Sequence, residues 1–531
     1  MIHFKHPVHW FYLVFLFIGL IFCIYFSVIR NLTAIIGVCL WGLLILALFA
    51  CRPNSVFHQI STEKTGFLKN ISLILVICIT IGIAVIPMSF DPLWNGKQPA
   101  HRNQYELLAE SFLDGKLYIE YGDEEELLLL NNPYDTEERE ETGITGHWDH
   151  AYYNGRYYMY FGVVPVILLF LPFRLLTGSS LTTYHATQIF AAFFILGMFA
   201  LFHLLNKKFF KTMPLGMYLL LSSSLSIASI WLSMSEPALY CTAIISAICL
   251  EVWSIYFFCK AVWTSTEENL QLRYATIGAL LGALTFGCRP PVGIANLIVL
   301  PCLHCFLKQR KFTFQLFRKL VLAASPYFFV ALILMAYNYA RFEDPFEFGQ
   351  SFQLTVCDQR NLGNLSDPAV RIRLVNETIQ NFVKFTNITD TFPYIKYSGI
   401  FFNFPIFLFI LGFLRESVQR QIKEMHLTFF LITLAVIPLI TTLLSVLWSP
   451  TLTERYRMDI YYLVSILCFI SLGSLHNVSA HKGKLYISSF ASVFAVLTFL
   501  SSFLLFLRSK INDLPLLVHY FQNAFSFWQY F

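Results

Sequence analysis

The sequence predicts an all-α polytopic membrane protein with about 13 transmembrane helices, one juxtamembrane or re-entrant helix and two long outer loops. Of its 531 residues, 56% are hydrophobic and 13% are charged, whereas soluble domains carry roughly 45–50% apolar and about 25% charged residues. Long uncharged runs recur along the whole chain, and each is close to the roughly 20 residues that cross a bilayer. A net charge of only +5 with 55 phenylalanines excludes disordered, collagenous and nucleic-acid-binding classes.

Thirteen apolar runs predict the membrane spans in chain order. They cover residues 10–28, 32–50, 71–88, 184–205, 214–234, 238–259, 274–288, 291–307, 320–338, 399–414, 427–447, 458–475 and 485–507. The first run is too long for the apolar region of a secretory signal and lacks a small-x-small cleavage site, so we expect a retained span. A fourteenth run, 160–176, is interrupted by Pro165 and Pro172 and carries Arg174.

The distribution of basic residues decides whether this fourteenth run crosses the membrane. If it does not cross and the N-terminus is cytoplasmic, most lysines and arginines of the short connections lie inside, as the positive-inside rule requires. If it crosses, most of them move outside. We therefore predict that 160–176 lies along the outer face. The long loops 89–159 and 339–398 are then also outside, in a multi-pass protein of the plasma (inner) membrane.

This topology divides the chain into four parts. Residues 1–70 form an N-terminal two-span hairpin with a cytoplasmic loop, and 71–338 form the membrane core that includes the first outer loop. The second outer loop, 339–398, is followed by a C-terminal bundle of spans, 399–531. The inner connections are short and contain no nucleotide-binding or zinc-protease motif, which argues against an ATP-driven pump. Any reaction is therefore expected to take place outside or within the bilayer.

The cysteines predict neither a disulfide framework nor a metal site. Most of the 12 cysteines lie in apolar runs, so paired extracellular thiols are not expected. Cys302 and Cys305 form a CxxC inside a predicted span, but no second ligand pair accompanies them. Glu251 also lies within a span, and we expect it to make a polar contact in the bundle.

Four segments carry the most specific sequence patterns. They are residues 132–135 (NPYD), 148–158 (WDHAYYNGRYY), 337–342 (YNYARF) and 454–457 (ERYR), the last followed by Asp459. In these segments, and in an early outer loop followed by a juxtamembrane helix, the chain resembles the GT-C superfamily of polyprenyl-phosphate-sugar-dependent glycosyltransferases. Protein O-mannosyltransferases and aminoarabinose–lipid A transferases belong to that superfamily. The resemblance implies transfer of a sugar from a polyprenyl-phosphate donor to an envelope glycan, lipid or protein on the outer face.

The resemblance also implies roles for individual residues. A base must accept the acceptor proton, and cations must stabilise the departing phosphate. Asp91, just outside a span, is the first candidate for the base, although a turn at the membrane surface explains it equally well. The other implied residues are Glu106 and Asp149 as further acids, Arg289, Arg455 and Arg457 on the donor phosphate, and Trp148, Tyr152, Tyr153, Tyr157 and Tyr158 on sugar rings. No metal ligands are predicted, and a divalent cation stays an open cofactor.

Two alternatives remain at this point. A transporter or flippase of a lipid-linked glycan would show internal repeats and broken polar helices at the midplane, and no repeat is visible. A non-catalytic relative is the other alternative, because residues 160–165 lack the lysine that many relatives carry before the proline.

Overall fold

The protein is a bundle of long helices with one small β-hairpin. The structure, a computed structural model, describes residues 7–63, 66–91, 103–308, 310–385, 388–449 and 452–530. Residues 92–102 of the first predicted outer loop thus lie outside the described part. The α-helices are α1 Pro7–Val28, α2 Leu32–Ala50, α3 Phe67–Val85, α4 Gln104–Leu113, α5 Thr136–Thr142, α6 Leu171–Thr177, α7 Thr183–Phe209, α8 Leu215–Ile230, α9 Tyr240–Trp263, α10 Glu268–Phe286, α11 Val299–Lys308, α12 Phe314–Phe342, α13 Pro368–Val383, α14 Ile400–Asn403, α15 Glu416–Glu424, α16 Thr428–Trp448, α17 Met458–Val478, α18 His481–Ser509 and α19 Pro515–Phe525.

Shorter helical turns connect several of these helices. A π-helix covers Val166–Phe170. The 3-10 helices are Val56–His58, Pro87–Phe90, Glu126–Leu129, Trp231–Met234, Pro290–Ile298, Gln359–Asn361, Pro405–Leu414, Glu454–Arg457 and Phe527–Tyr530.

Ten helical segments are long and apolar enough to cross a membrane within the described ranges, so the count of 13 is not confirmed. They are Leu32–Ala50, Lys69–Phe90, Thr183–Phe209, Leu215–Met234, Tyr240–Trp263, Pro290–Lys308, Phe314–Phe342, Thr428–Trp448, Glu454–Val478 and His481–Ser509. Of the other predicted spans, 10–28 matches α1, whose described apolar part is Val14–Val28, and 274–288 falls on α10. The run 399–414 breaks into α14 and the ten-residue helix Pro405–Leu414, which covers roughly 20 Å of a core about 30 Å thick.

The helices α8 and α17 form the centre of the bundle. In both corresponding span segments 94% of residues are buried, against 17% for Leu32–Ala50 and Phe314–Phe342 at the periphery. Three serines on α8, Ser224, Ser226 and Ser229, donate to carbonyls of the same helix, and Ser229 does so to the Leu225 carbonyl at 2.7 Å. The Ser229 hydroxyl also lies 3.0 Å from that of Ser465 on α17. Such small residues allow helices to approach closely within a membrane.

A β-hairpin interrupts the otherwise helical fold and joins the two predicted outer loops. Strands β1 (His150–Tyr153) and β2 (Arg156–Met159) pair antiparallel around Asn154 and Gly155. Both turn residues have positive φ, 48° and 70°, as in the type I′ turns that suit the twist of a hairpin. On the other side of β1, the Tyr152 amide donates to Phe352 O at 2.9 Å. The protein is thus mostly helical, as expected, and a short piece of sheet that the sequence did not predict joins the loops.

The proline-broken run 160–176 forms a short helix. The π-helix Val166–Phe170 continues into α6, so that twelve residues, Val166–Thr177, are helical. At 1.5 Å per residue they cover about 18 Å, well short of a bilayer core. Just before this helix, the Val164 amide donates to Gly287 O at 2.9 Å beyond the end of α10. The side of the membrane on which this helix lies stays a prediction.

Candidate active site

A cavity of about 750 Å³ lies where both long loops meet the ends of several long helices. Four of the residues singled out from the sequence line it, namely Trp148, Asp149, Arg289 and Arg455. Residues of the second loop, the end of α12, the end of α16 and the start of α9 complete its wall. Distant parts of the chain therefore bring three arginines and two carboxylates to a single cavity, which is the usual form of a small-molecule site.

Asp149 is held in place by all of its polar groups. Its carboxylate accepts a hydrogen bond from Gln353 Nε2 at 2.7 Å and another from the Tyr240 hydroxyl. Its amide donates to Leu354 O at 2.8 Å, and its carbonyl accepts from Gln104 Nε2 at 3.1 Å. The backbone at Asp149 is left-handed, with φ of 60°, a conformation that costs a non-glycine residue about 1–3 kcal/mol. Outliers of this kind cluster at functional sites.

The surroundings of Asp149 change its acidity. Burial raises the pKa of this carboxyl above its ordinary value, and the Tyr240 hydroxyl, the Arg455 charge and the Gln353 amide oppose that rise. The residue is 3% exposed, yet it lines the cavity. A carboxylate with a raised pKa that faces a cavity is a candidate for proton transfer.

Arg455 is a cation of this cavity whose charge acts on Asp149 without forming an ion pair with it. Its guanidinium carbon lies 3.7 Å from the centre of the Tyr240 ring, on which it stacks. It makes no hydrogen bond and no ion pair with any residue that the structure describes. A planar guanidinium presents five N–H donors and binds phosphate or carboxylate oxygens in pairs. The free donors of Arg455 thus suit an anionic ligand in the cavity.

Arg289 is paired, but only in part. Its Nε donates to both oxygens of Asp459 at 2.8 and 3.0 Å, and Nη2 donates to Asp459 Oδ2 at 2.9 Å. The Asp459 side chain is 0% exposed and that of Arg289 is 16% exposed. Within the described ranges, Nη1 of Arg289 has no hydrogen-bond acceptor. The pair therefore fixes the guanidinium rigidly and leaves one edge of it for a ligand.

Several cavity residues were not singled out from the sequence. Tyr240 was expected only as part of a span, and Gln353 lies in the second loop without any motif around it. Gln359 Nε2 donates to Gln353 Oε1 at 2.6 Å and so extends the chain of hydrogen bonds that ends on Asp149. Arg341 also lines the cavity, with Nη1 donating to Met159 O at 3.1 Å. Its place in the segment 337–342 was the one available signal.

Arg457, predicted beside Arg455, points elsewhere. It is 6% exposed and does not line the cavity. Its Nε donates to Asn381 Oδ1 at 2.8 Å, and its Nη1 donates to Ser398 O and to the Glu454 carboxylate. These contacts connect the start of α17 to the second loop. A structural role accounts for all of them.

The two other predicted acids also lie outside the cavity. Asp91 accepts from the Tyr184 hydroxyl at 3.1 Å, and Lys510 Nζ lies 3.5 Å from its second oxygen. Glu106 accepts from the Thr183 amide at 3.0 Å at the first turn of α7. Asp91 thus takes part in an ion pair with Lys510, and Glu106 stabilises the first turn of α7.

Of the five aromatic residues predicted to stack on sugars, only Trp148 lines the cavity. Tyr152 and Tyr157 form a cross-strand pair inside a small apolar cluster, and each is at most 2% exposed. Tyr158 packs on Phe342, with ring centres 5.3 Å apart. The Tyr153 ring lies against the second loop as well. These rings hold the hairpin against α12 and the second loop.

The residues that the structure describes do not form a metal site. Nowhere in the described ranges do three His, Cys, Asp or Glu side chains come together as ligands. Asp149 and Glu347 are the carboxylates of the cavity wall, and the oxygens of Asp149 already accept two side-chain hydrogen bonds. We therefore derive no step through a divalent cation.

Comparisons with known proteins give one structural similarity. No family model matches the chain, and no curated protein matches it either. Among solved structures, the apo form of the Archaeoglobus fulgidus oligosaccharyltransferase is similar, with a TM-score of 0.47 and 13% sequence identity. The alignment covers 87% of this chain and 60% of that one, so the chain spans less than two thirds of that protein's length. The similarity concerns the backbone and assigns no activity or ligand to this chain.

Proposed function

We propose that the protein is an integral membrane glycosyltransferase that takes a sugar from a polyprenyl-phosphate donor and passes it to a cell-envelope acceptor on the outer face. The observation that carries the proposal is the unpaired guanidinium of Arg455 in the same cavity as the buried carboxylate of Asp149. A cation without a partner suits the donor phosphate, and a carboxylate beside it suits the proton that the acceptor loses. The sequence resemblance to polyprenyl-phosphate-dependent enzymes supports the same reaction.

The donor phosphate would lie between two guanidinium groups. Arg455 offers its free N–H groups, and Arg289 offers Nη1 while Asp459 holds its other side. Charge-assisted hydrogen bonds of this kind are roughly twice as strong as neutral ones. They also stabilise the leaving group, because negative charge builds up on the phosphate as the glycosidic bond breaks. Apolar side chains in the cavity wall, such as Val163 and Leu334, suit the first units of the polyprenyl chain.

Asp149 would serve as the base. The acceptor hydroxyl oxygen forms a bond to the anomeric carbon of the donor, the bond from that carbon to the phosphate oxygen breaks, and polyprenyl phosphate leaves. The acceptor proton moves to an oxygen of Asp149. The hydrogen bonds from Tyr240 and Gln353 keep this carboxylate oriented and ionised before the transfer. Such a direct displacement inverts the sugar and needs neither a nucleotide nor a covalent enzyme intermediate.

Binding and turnover of purified variants test the proposal. The full-length protein in proteoliposomes is supplied with polyprenyl-phosphate sugars, and binding of polyprenyl phosphate itself is followed by native mass spectrometry. Asp149→Asn is expected to abolish transfer and retain binding, whereas Arg455→Gln is expected to weaken binding. Arg156→Gln serves as the matched control, because this exposed arginine of the hairpin stacks on Tyr118 at 4.5 Å outside the cavity.

The same experiment separates the alternatives. If Asp149→Asn transfers sugar at the normal rate while Asp91→Asn does not, the base is Asp91 and our assignment is wrong. If the protein binds polyprenyl phosphate through Arg455 but no donor supports transfer, the chain is a lipid-glycan transporter or a non-catalytic relative. Equal loss of binding in Arg156→Gln would refute the role of the cavity.

A further inference from the structure

A second, smaller cavity of about 250 Å³ lies at the junction of α10, α11 and α12, away from the candidate active site. Its wall contains three cationic side chains, Arg310, Lys311 and Lys319, and a single carboxylate, Glu268. From these residues we infer that the cavity binds the phosphate headgroup of an anionic membrane lipid. The inference is independent of the proposed glycosyl transfer.

The position of this cavity places it at a membrane surface whichever way the chain is oriented. Two segments that are long and apolar enough to cross a bilayer, Pro290–Lys308 and Phe314–Phe342, are separated by only five residues. A connection that short between two spans lies at the boundary between lipid and water. Arg310 and Lys311 belong to this connection, and Lys319 follows on the second turn of α12. The predicted topology puts this boundary on the cytoplasmic side, where anionic lipids are concentrated.

The charges in the wall do not balance. Lys319 Nζ donates to Glu268 Oε1 at 2.5 Å, and Arg310 Nε lies 3.8 Å from the other carboxylate oxygen. One carboxylate is thus shared by two cations. Lys311 makes no hydrogen bond or ion pair with any residue in the described ranges. The wall therefore carries an excess of two positive charges, which a singly charged phosphate group would reduce to one and a doubly charged one would neutralise.

The geometry of Arg310 shows a site that is already built. Its Nη1 donates to Phe306 O at 2.9 Å, its Nη2 donates to Gln271 Oε1, and its guanidinium carbon lies 3.9 Å above the Phe306 ring. The side chain is 18% exposed. It is thus fixed against α10 and α11 and does not extend into solvent. A fixed cation loses little conformational freedom when a ligand binds.

Exposed aromatic rings beside the cavity explain why the ligand is a lipid and not a free phosphate. Phe312 and Phe314 are 65% and 75% exposed, and Phe317, on the next turn, is 47% exposed. Their rings lie within 6.5 Å of the Phe317 ring. Phenylalanine side chains at a membrane surface bury their apolar rings at the boundary between headgroups and acyl chains. A basic cavity bordered by such rings matches a molecule with an anionic head and an apolar tail.

The test uses Lys311→Gln with Lys308→Gln as its matched control. Lys308 is an exposed lysine at the end of α11 that does not line the cavity. Purified full-length protein is titrated with phosphatidylglycerol or phosphatidylcholine in detergent, and bound lipid is counted by native mass spectrometry. Since a lysine near an anionic lipid surface contributes about a fivefold gain in binding, Lys311→Gln is expected to bind phosphatidylglycerol about fivefold more weakly. Lys308→Gln is expected to bind like the unmodified protein.

Three results would overturn the inference. Equal losses in Lys311→Gln and Lys308→Gln would mean a diffuse attraction to surface charge. Binding of phosphatidylcholine as tightly as phosphatidylglycerol would show that the negative charge of the headgroup is not recognised. Displacement of phosphatidylglycerol by millimolar inorganic phosphate would identify the ligand as a free anion. Misfolding is not expected to cause weaker lipid binding in Lys311→Gln, because Lys311 is exposed and makes no hydrogen bond or ion pair in the described part of the chain.

Discussion

Arg455 and Arg457 are two residues apart, and the structure predicts opposite consequences when each is changed to glutamine. Arg455 faces the cavity and makes no hydrogen bond to the described residues, whereas Arg457 is 6% exposed and donates to Asn381, Ser398 and Glu454. Arg455→Gln should reduce ligand binding and leave the fold intact. Arg457→Gln should reduce stability and leave the binding affinity of the folded fraction unchanged.

The magnitudes follow from these contacts. A hydrogen bond to a charged group contributes about 1.5–3 kcal/mol, so Arg455→Gln should weaken polyprenyl phosphate binding by roughly tenfold to a hundredfold. Its effect on unfolding comes from the stacking on Tyr240 at 3.7 Å, about 0.5–2 kcal/mol, together with the loss of a positive charge near Asp149. Arg457→Gln removes the mostly buried partner of Glu454, whose own side chain is 28% exposed, so the cost is at most roughly 3–5 kcal/mol.

Two measurements on the same purified samples decide between these outcomes. Thermal unfolding in detergent, followed by intrinsic fluorescence, should show a lower midpoint for Arg457→Gln and a nearly unchanged one for Arg455→Gln. Native mass spectrometry with polyprenyl phosphate should show weaker binding by Arg455→Gln and an unchanged affinity for Arg457→Gln. If Arg455→Gln destabilises the protein as much as Arg457→Gln does, or if both bind normally, the distinction between a free and a structural arginine is wrong.

Three further predictions concern stability and pH. Asp459→Asn should lower the free energy of unfolding by roughly 3–5 kcal/mol, because it leaves Arg289 buried without its counter-charge. Asp459→Glu should retain part of the stability. Gly162→Ala should lower the free energy of unfolding by about 1–3 kcal/mol, because an added Cβ would lie 2.2 Å from Gly287 O. A loss of less than about 1 kcal/mol would argue against this packing. Burial raises the pKa of Asp149 in the folded state above its pKa in the unfolded state. As pH rises from the lower of these two pKa values through the higher one, ionisation of Asp149 therefore reduces the stability of the protein. The melting midpoint of Asp149→Asn minus that of the unmodified protein should therefore increase over that pH interval. A difference between the two midpoints that does not change with pH would contradict the raised pKa.

Most of the helical architecture could be predicted because it depends on composition along the chain. Long apolar runs are recognisable without any neighbour, and ten of the predicted spans fall on helices of sufficient length and hydropathy. The run 399–414 was overestimated, since Phe404 adopts an extended backbone, with φ of −128° and ψ of 115°, before Pro405 and divides the segment. A residue before proline is disfavoured in the α region, and this local rule outweighed hydrophobicity.

The candidate site could be predicted only in part. The segments 148–158 and 454–457 were expected to contain polar residues of the site. Asp149 and Arg455 line the cavity, and their roles stay predictions. The adjacent tyrosines do not, because a hairpin alternates its side chains between two faces and both faces are covered here. Tyr152 and Tyr157 pack on one face, and Tyr158 packs against α12 on the other. Tyr158 is covered by Phe342, far along the chain. Tyr152 and Tyr157 are covered by Leu127, Leu130 and Tyr134 of the first loop together with Leu354 of the second, and the sequence pattern of the hairpin alone does not reveal either set.

Hydropathy by itself determined that this chain is a membrane protein and where most of its helices run, because the free energy of inserting a segment in lipid is a sum over that segment's own residues. Which charges are free was decided only by the tertiary structure. Asp459 pairs with Arg289 across 170 positions of sequence, Glu454 and Asn381 bind Arg457, and Arg455 forms no ion pair with the described residues. Electrostatic pairing depends on distances in space, and the folding of both loops onto the helix ends sets those distances.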